Sequence, residues 1–155
     1  MTPIVWRVGK PGDEEALSLL GQATFLSTFA FDHPGPALLR FLKDLHSPAY
    51  YAAKLADPEV DIIIGETPLG APVAYALLCP PEHPEFEAKG DWELKRIYLL
   101  GPWQGGGNGT ALLQQAIDVA RNRARYLPDR GIANARCHAA AILLQILPKQ
   151  GDVEL

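Results

Sequence analysis

The chain has 155 residues, 48% apolar and 21% charged, with a formal net charge of −4. This length suits one domain with a sizeable core, and the acidic balance without a Lys/Arg block argues against a nucleic-acid partner. No apolar run approaches the roughly 20 residues that span a bilayer, no signal-peptide pattern opens the chain, and two cysteines are too few for a disulfide framework. We therefore expect a cytoplasmic protein without a membrane segment.

The first part of the chain predicts one strand followed by three helices. Residues 4–8 read as the strand, and "DEEALSLLGQATFLSTF" predicts a helix with Asp13 as its N-cap and two glutamates in its first turn. The stretch "FDHPGP" ends this helix because proline and glycine interrupt helical structure. Two shorter helices are then predicted in "ALLRFLKDL" and "SPAYYAAKLAD".

The next part predicts a β-hairpin, a third long strand and a helix. "VDIIIGE" and "VAYALLC" flank the turn "TPLGAP", and "WELKRIYLL" alternates apolar and polar residues. In this last strand burial on both sides, or a bulge, is expected, because its apolar residues do not share one face: Trp92, Leu94, Ile97 and Leu99. "TALLQQAIDVARNRARYL" predicts a helix with four residues on its buried face: Leu113, Ile117, Ala120 and Ala124.

Between that strand and that helix lies a glycine-rich loop, "GPWQGGGNGT". Unpaired backbone N–H groups and the helix dipole make such a junction an anion site, and glycine lets the backbone approach a phosphate. A P-loop is excluded because Gly107 and Asn108 stand where Lys and Ser/Thr are required. The dinucleotide fingerprint fits poorly because Thr110 occupies its third glycine position.

"QGGGNG", within "WELKRIYLLGPWQGGGNGTALLQQAIDVA", resembles the Q/R-x-x-G-x-G/A signature of the GNAT family of acetyl-CoA-dependent N-acetyltransferases. "RVGKPGDEEALSLLGQATFLSTF" and "SPAYYAAKLADPE" resemble the first strand and helices of the same family, so the resemblance covers residues 4–126. It implies the GNAT fold, an α/β fold with a mixed, mostly antiparallel central sheet flanked by helices. Residues 1–155 would form a single domain.

The resemblance also implies a binding site for acetyl-CoA as cosubstrate, with no metal. In the family, loop N–H groups bind the pyrophosphate, and the matching positions here are Gln104, Gly105, Gly106, Gly107, Asn108, Gly109 and Thr110. The pantetheine arm pairs like an extra strand with the strand before the loop, at Ile97, Tyr98 and Leu99. Asn108 replaces an apolar family residue and Gly101 a frequent proline, and neither change removes a backbone donor.

Amine acetylation needs a base for the amine proton and an acid for the departing thiolate. Glu93 is the candidate base, because many members carry a glutamate on this strand that acts through water; Asp91 is a weaker alternative. A solvated carboxylate, or one paired with Lys95, is the plainer interpretation of Glu93. The implied reaction is direct attack by a primary amine of a small molecule or peptide in a ternary complex, and the net charge slightly favours a cationic acceptor.

Residues 127–155 depart from the family pattern, which ends N-x-x-A-x-x-F/Y-Y-x-K-x-G-F and supplies a tyrosine as general acid. Asn134 and Lys149 match parts of it but lie too far apart, and no aromatic residue follows Tyr126. Either the end has diverged, leaving Tyr126 or water as the acid, or the reading frame shifted near residue 127. The alternative function is a catalytically impaired acyl-CoA-binding or regulatory protein. The resemblance also allows a homodimer.

Other polar and aromatic residues carry weaker signals. The four histidines show no metal-ligand spacing, so surface or capping roles are expected: His33, His46, His83 and His138. Several aromatic residues lie on the helices that roof the acceptor site in the family, although a core role is the plainer interpretation: Phe25, Phe29, Phe31, Tyr50 and Tyr51. Trp92 is expected in the core and Trp103 over the loop as a lid.

Overall fold

The computed structural model describes residues 3–80 and 92–126. Within these ranges four strands form one sheet in the order β1-β2-β3-β4, with every neighbouring pair antiparallel: Val5–Val8 (β1), Asp61–Glu66 (β2), Pro72–Cys79 (β3) and Glu93–Leu99 (β4). The described part also contains four α-helices: Glu14–Phe29 (α1), Gly35–Leu45 (α2), Pro48–Ala56 (α3) and Asn108–Tyr126 (α4). The predicted α/β class, the order of elements and the hairpin are confirmed. Within the described ranges every helix is too short or too polar to span a bilayer.

The start of α1 is held by an ion-pair network around its N-cap residue, Asp13. Asp13 occupies the N-cap position, but its side chain makes no capping hydrogen bond. Instead its carboxylate accepts two bonds of 2.8 Å from the Arg7 guanidinium and one of 2.8 Å from the Lys10 backbone N–H. Arg7 also donates to Glu66 at 2.6 Å, so this network ties β1 and β2 to the start of α1. The predicted N-cap position of Asp13 is confirmed, but its side chain makes no capping hydrogen bond because its carboxylate is engaged by the bidentate arginine.

The expected irregularity of β4 is a β-bulge. Leu77 pairs with Arg96 and Leu78 with Leu94, which leaves Lys95 as the extra residue on β4. A bulge inserts one residue into the alternation, so positions on either side of it exchange faces. Leu94, Ile97 and Leu99 consequently lie in one core, which resolves the mismatch seen in the sequence.

The described residues form two cores on opposite faces of the sheet. One packs the sheet against α4, and the other packs it against α1 and α3 around Leu17, Leu20, Tyr51, Tyr75 and Leu77. The buried line of helix α4 contains the predicted Ala120, but in its first two turns it runs one residue earlier than predicted, through Leu112 and Ala116. Leu113 and Ile117 are only half-buried, and the Ala124 side chain lies outside the described part. Two small alanines on the buried line allow the helix to approach the sheet closely, which apolar spacing alone did not show.

Candidate functional site

The glycine loop follows β4 and leads into α4. After a turn of 3-10 helix at Gly101–Trp103, the three successive residues Gly105, Gly106 and Gly107 have φ values of 85°, 58° and 86°. Residues with a Cβ rarely adopt this left-handed region, so the run of glycines is required by the backbone path. A Cβ built on Gly105 or Gly107 would meet no atom within 4 Å, so these two positions face open space.

Two amide side chains fix the shape of the loop. Gln104 Nε2 donates to the Leu99 carbonyl at 3.0 Å, and Asn108 Nδ2 donates to the Trp103 carbonyl at 3.0 Å. The backbone N–H groups of Gln104 and Asn108 are used inside the loop, donating to the carbonyls of Gly101 and Gly105 at 3.0 and 3.2 Å. The loop is therefore held by its own hydrogen bonds, as a preformed anion site requires.

The donors that the loop offers to a ligand lie at the start of α4. The helix begins at Asn108, two residues before the predicted Thr110, so Gly109 and Thr110 lie in its first turn. First-turn N–H groups have no intrahelical acceptor, and the helix dipole adds positive potential. In the described part of the chain, the N–H groups of Gly106 and Gly107 also have no backbone acceptor. These groups fit a phosphate.

The outer edge of β4 offers backbone groups to an extended ligand. Leu100 N–H donates to the Val73 carbonyl at 2.9 Å, and Tyr98 pairs with Tyr75. Since inward and outward groups alternate along an antiparallel strand, the N–H and C=O of Ile97 and Leu99 point away from β3. No strand within residues 3–80 and 92–126 pairs with this edge. Of the three positions expected to pair with pantetheine, Ile97 and Leu99 direct their backbone N–H and C=O groups to this edge. Tyr98 directs its backbone groups to β3.

On β4 the bulge brings three polar side chains to the face that packs against α1 and α3: Glu93, Arg96 and Tyr98. Their cross-strand partners on β3 belong to the core on that face: Cys79, Leu77 and Tyr75. Residues directly opposite one another in an antiparallel pair share a face. Without the bulge, positions 93 and 96 would lie on opposite faces, so Lys95 is what places Glu93 and Arg96 together.

Arg96 lies at the centre of a buried polar cluster with only 5% of its surface exposed. Its Nη1 donates to Tyr51 Oη at 2.8 Å, and its guanidinium lies 4.5 Å from the centre of the Tyr50 ring. Tyr51 Oη in turn lies 2.7 Å from Tyr75 Oη and 3.0 Å from His46 Nδ1. The cluster therefore links α3, β3, β4 and the end of α2 through one hydroxyl.

The arginine is the one charged member of this cluster near neutral pH. Burial, and then the Arg96 charge, lowers the pKa of His46 to about 3. Burial raises the pKa values of Tyr51 and Tyr75 above the usual range, so both phenols are neutral. A guanidinium does not lose its proton in proteins. Among the described residues, no carboxylate forms a salt bridge with Arg96.

His46 corrects an expectation from the sequence. Its backbone N–H caps the end of α2, as expected, but its side chain is fully buried rather than on the surface. Arg96 and Tyr75 were also missed as site residues. Arg96 had one available signal, since an arginine among apolar residues of a buried strand calls for a partner. His83 and His138 lie outside the described residues, as do Asp91 and the segment 127–155.

The aromatic residues of α1 and α2 form a layer above this face of β4. The Phe25 ring lies 4.4 Å from Phe29, 4.6 Å from Phe41 and 6.5 Å from Tyr98, measured between ring centroids. Tyr51 is core, as the plainer interpretation held, whereas Phe31 is 66% exposed. Trp92 packs against the α4 core as expected, and Trp103 is half-buried beside the loop.

Comparison with known proteins identifies the family to which this fold and loop belong. A model of the acetyltransferase (GNAT) family matches residues 25–141. The chain belongs to the GNAT acetyltransferase family. No curated protein matches it in sequence.

Solved GNAT structures share the fold at low identity. The PaiA N-acetyltransferase of Thermoplasma acidophilum in complex with coenzyme A has a TM-score of 0.67 and 14% identity, over 79% of this chain and 74% of that one. A GCN5-related N-acetyltransferase of Ralstonia eutropha has a TM-score of 0.61 and 20% identity, over 99% and 98%. A GNAT acetyltransferase of Brucella melitensis in complex with acetyl-CoA has a TM-score of 0.56 and 17% identity, over 79% and 71%. In the described residues no group of three His, Cys, Asp or Glu side chains is placed to hold a metal ion.

Proposed function

We propose that this GNAT protein is an N-acetyltransferase that uses acetyl-CoA to acetylate a primary amine of a small molecule or peptide, by direct attack in a ternary complex. The observation that carries the proposal is the glycine loop, with three successive positive φ angles at the start of α4, beside the edge of β4 with which no described strand pairs. A cytoplasmic location and a homodimer belong to the same proposal, since two cysteines suit a reducing compartment and family members often dimerise.

The loop and the strand edge divide the binding of coenzyme A between them. The N–H groups of Gly106, Gly107, Gly109 and Thr110 bind the pyrophosphate, while Gln104 and Asn108 hold the loop in shape. The outward backbone groups of Ile97 pair with the amides of the pantetheine arm, as a peptide adds a strand to a sheet edge. The Leu99 N–H lies on the same edge, while the Leu99 carbonyl accepts from Gln104.

Acetyl-CoA supplies an acetyl thioester, and the chain supplies proton transfer and position. Glu93, on the face of β4 that packs against α1 and α3, accepts the proton of the attacking amine through water. The new N–C bond forms as the C–S bond breaks, and Tyr126 or water returns a proton to the thiolate sulfur. In this mechanism the amine attacks the thioester directly, so the loop must position the thioester beside it.

The proposal is tested by titrating the purified protein with acetyl-CoA in a calorimeter and then measuring release of free thiol with a broad amine panel. We expect saturable binding at one site and acetylation of at least one class of amine, confirmed by mass spectrometry of the product. Binding without turnover across the panel would replace the proposal with the alternative of an acyl-CoA-binding or regulatory protein. Absence of binding would reject both.

A further inference from the structure

We infer that the acceptor amine carries a carboxylate, as an amino acid does, and that Arg96 is the residue that binds it. This inference rests on the proposed function and names the substrate class of the same site. The glycine loop does not require a carboxylate on the acceptor. The inference follows from the buried Arg96 cluster on the face of β4 that packs against α1 and α3.

The first observation is a buried charge whose neighbours do not neutralise it. Arg96 is 95% buried, and the neighbours it contacts are two tyrosine rings, one phenol oxygen and one imidazole nitrogen. A buried cation is costly unless it is paired with an anion, and ring contacts compensate only part of that cost. In the described ranges the pairing anion is not supplied by the chain, so a ligand carboxylate would complete the cluster.

The second observation is an excess of donors over acceptors. Arginine can only donate, and its Nη1 lies 3.4 Å from His46 Nδ1, so that nitrogen serves as an acceptor and the proton of the neutral ring sits on Nε2. This Nε2 is fully buried and has no hydrogen-bond partner among the described residues, and the same holds for Tyr50 Oη. A guanidinium has five N–H donors, of which one bonds Tyr51. A carboxylate, with two oxygens and only acceptor capacity, is the complement to such a site.

The third observation is the position of the cluster relative to the candidate base. Glu93 and Arg96 share a face of β4 and are separated by about two regular strand steps, or roughly 7 Å along the strand. That spacing suits an acceptor whose amine and carboxylate lie a few bonds apart. It opposes a second ammonium group, because the local guanidinium acts at much shorter range than the net charge of −4. The net charge slightly favoured a cationic acceptor, but at this site the local guanidinium favours an acceptor that carries a carboxylate.

The test compares acceptors that differ only in the carboxylate. A panel of amino acids and their primary amides is assayed for kcat/KM, and the ratio of acid to amide is compared between wild type and Arg96→Met. Taking the ratio across variants cancels the different basicity of the two amines. We expect wild type to prefer the acids and Arg96→Met to reduce the ratio by about 10- to 100-fold, the range of a hydrogen bond to a charged group. Arg96→Lys should retain most of it.

Lys43→Met is the matched control, since it removes an exposed cation from α2 without touching the cluster. A second readout needs no turnover: the complex with coenzyme A is titrated with N-acetyl amino acids and with their amides. Wild type should bind the acids more tightly, a result that stands even if Arg96→Met fails to fold.

The outcomes separate the inference from the function. If amides are acetylated as well as acids by wild type, or if Arg96→Met lowers both equally, Arg96 does not bind an acceptor carboxylate while the acetyltransferase proposal stands. A carboxylate from elsewhere in the chain as the partner of Arg96 would give that same result. If no amine of any kind is acetylated, the proposed function fails, and the inference fails with it.

Discussion

The glycine loop and the Arg96 cluster flank the same strand and are built from different parts of the chain. The loop uses backbone groups of ten contiguous residues, 101–110, so its function depends on φ angles that glycine alone adopts readily. The cluster uses side chains from positions 46, 51, 75 and 96, brought together by the packing of α3 against the sheet. The first should control affinity for acetyl-CoA and the second should control the choice of acceptor, and substitutions can separate the two.

Gly107→Trp should have the largest effect. A side chain at φ 86° is strained, and the indole would fill the open space that the loop presents, so acetyl-CoA binding should become undetectable by calorimetry. The matched control is Gly70→Trp, at φ 83° in the β2–β3 turn and also facing open space, which carries the same strain away from the site. Equal loss of binding in both variants would show that strain, not occupation of the loop, is responsible.

Glu93→Gln tests the face of β4 that also carries Arg96. If Glu93 is the base, as proposed, its removal should lower kcat by about 10²- to 10⁴-fold while leaving acetyl-CoA affinity near that of wild type. Glu15→Gln, at an exposed position in the first turn of α1, is the charge control. A loss of affinity equal to the loss of kcat would mean that Glu93 supports the binding of coenzyme A instead.

The buried imidazole predicts a pH dependence of stability. The folded state keeps His46 neutral down to about pH 3, whereas the unfolded chain protonates it below about pH 6.5. Its contribution is therefore fully present above pH 6.5 and is lost as the pH falls towards 3, by up to about 1.4 kcal/mol per pH unit. Denaturant unfolding between pH 5 and 7 should show a shallower pH slope for His46→Gln. The exposed His33→Gln controls for loss of an imidazole, and identical slopes in wild type and His46→Gln would contradict the buried neutral ring.

Gln104→Met should have the smallest effect and tests whether the Gln104 side chain holds the loop in shape. It removes the bond from Nε2 to the Leu99 carbonyl, worth about 1 kcal/mol, so acetyl-CoA affinity should fall roughly fivefold without a change in acceptor preference. Gln114→Met, on the exposed side of α4, is the control. A change in the acid-to-amide ratio in Gln104→Met would show that the two sides of β4 are coupled.

Much of the fold could be predicted from local sequence patterns, whereas the buried cluster around Arg96 could not. Turn residues and apolar periodicity predicted the hairpin and α4, and four glycines between a strand and a helix predicted the anion loop. The burial of His46 could not be read in the same way, because it depends on Gly21 of α1. A Cβ at Gly21 would clash with His46 Nδ1 and with Tyr51 Oη, so the missing side chain makes room for residues 25 and 30 positions further along the chain. Contacts of that kind are set by topology and leave no periodic signal.

The bulge at Lys95 reconciles an odd spacing in the sequence with the period of two that a strand requires. The residues on either side of Lys95 already pair with consecutive residues of β3, so deleting Lys95 would make β4 regular and leave Glu93 and Arg96 on their present face. What the deletion would remove is the local bend and the added twist that a bulge gives its strand. The extra residue therefore sets the angle between the two halves of β4, and a regular strand would carry the same side chains in a different relative orientation.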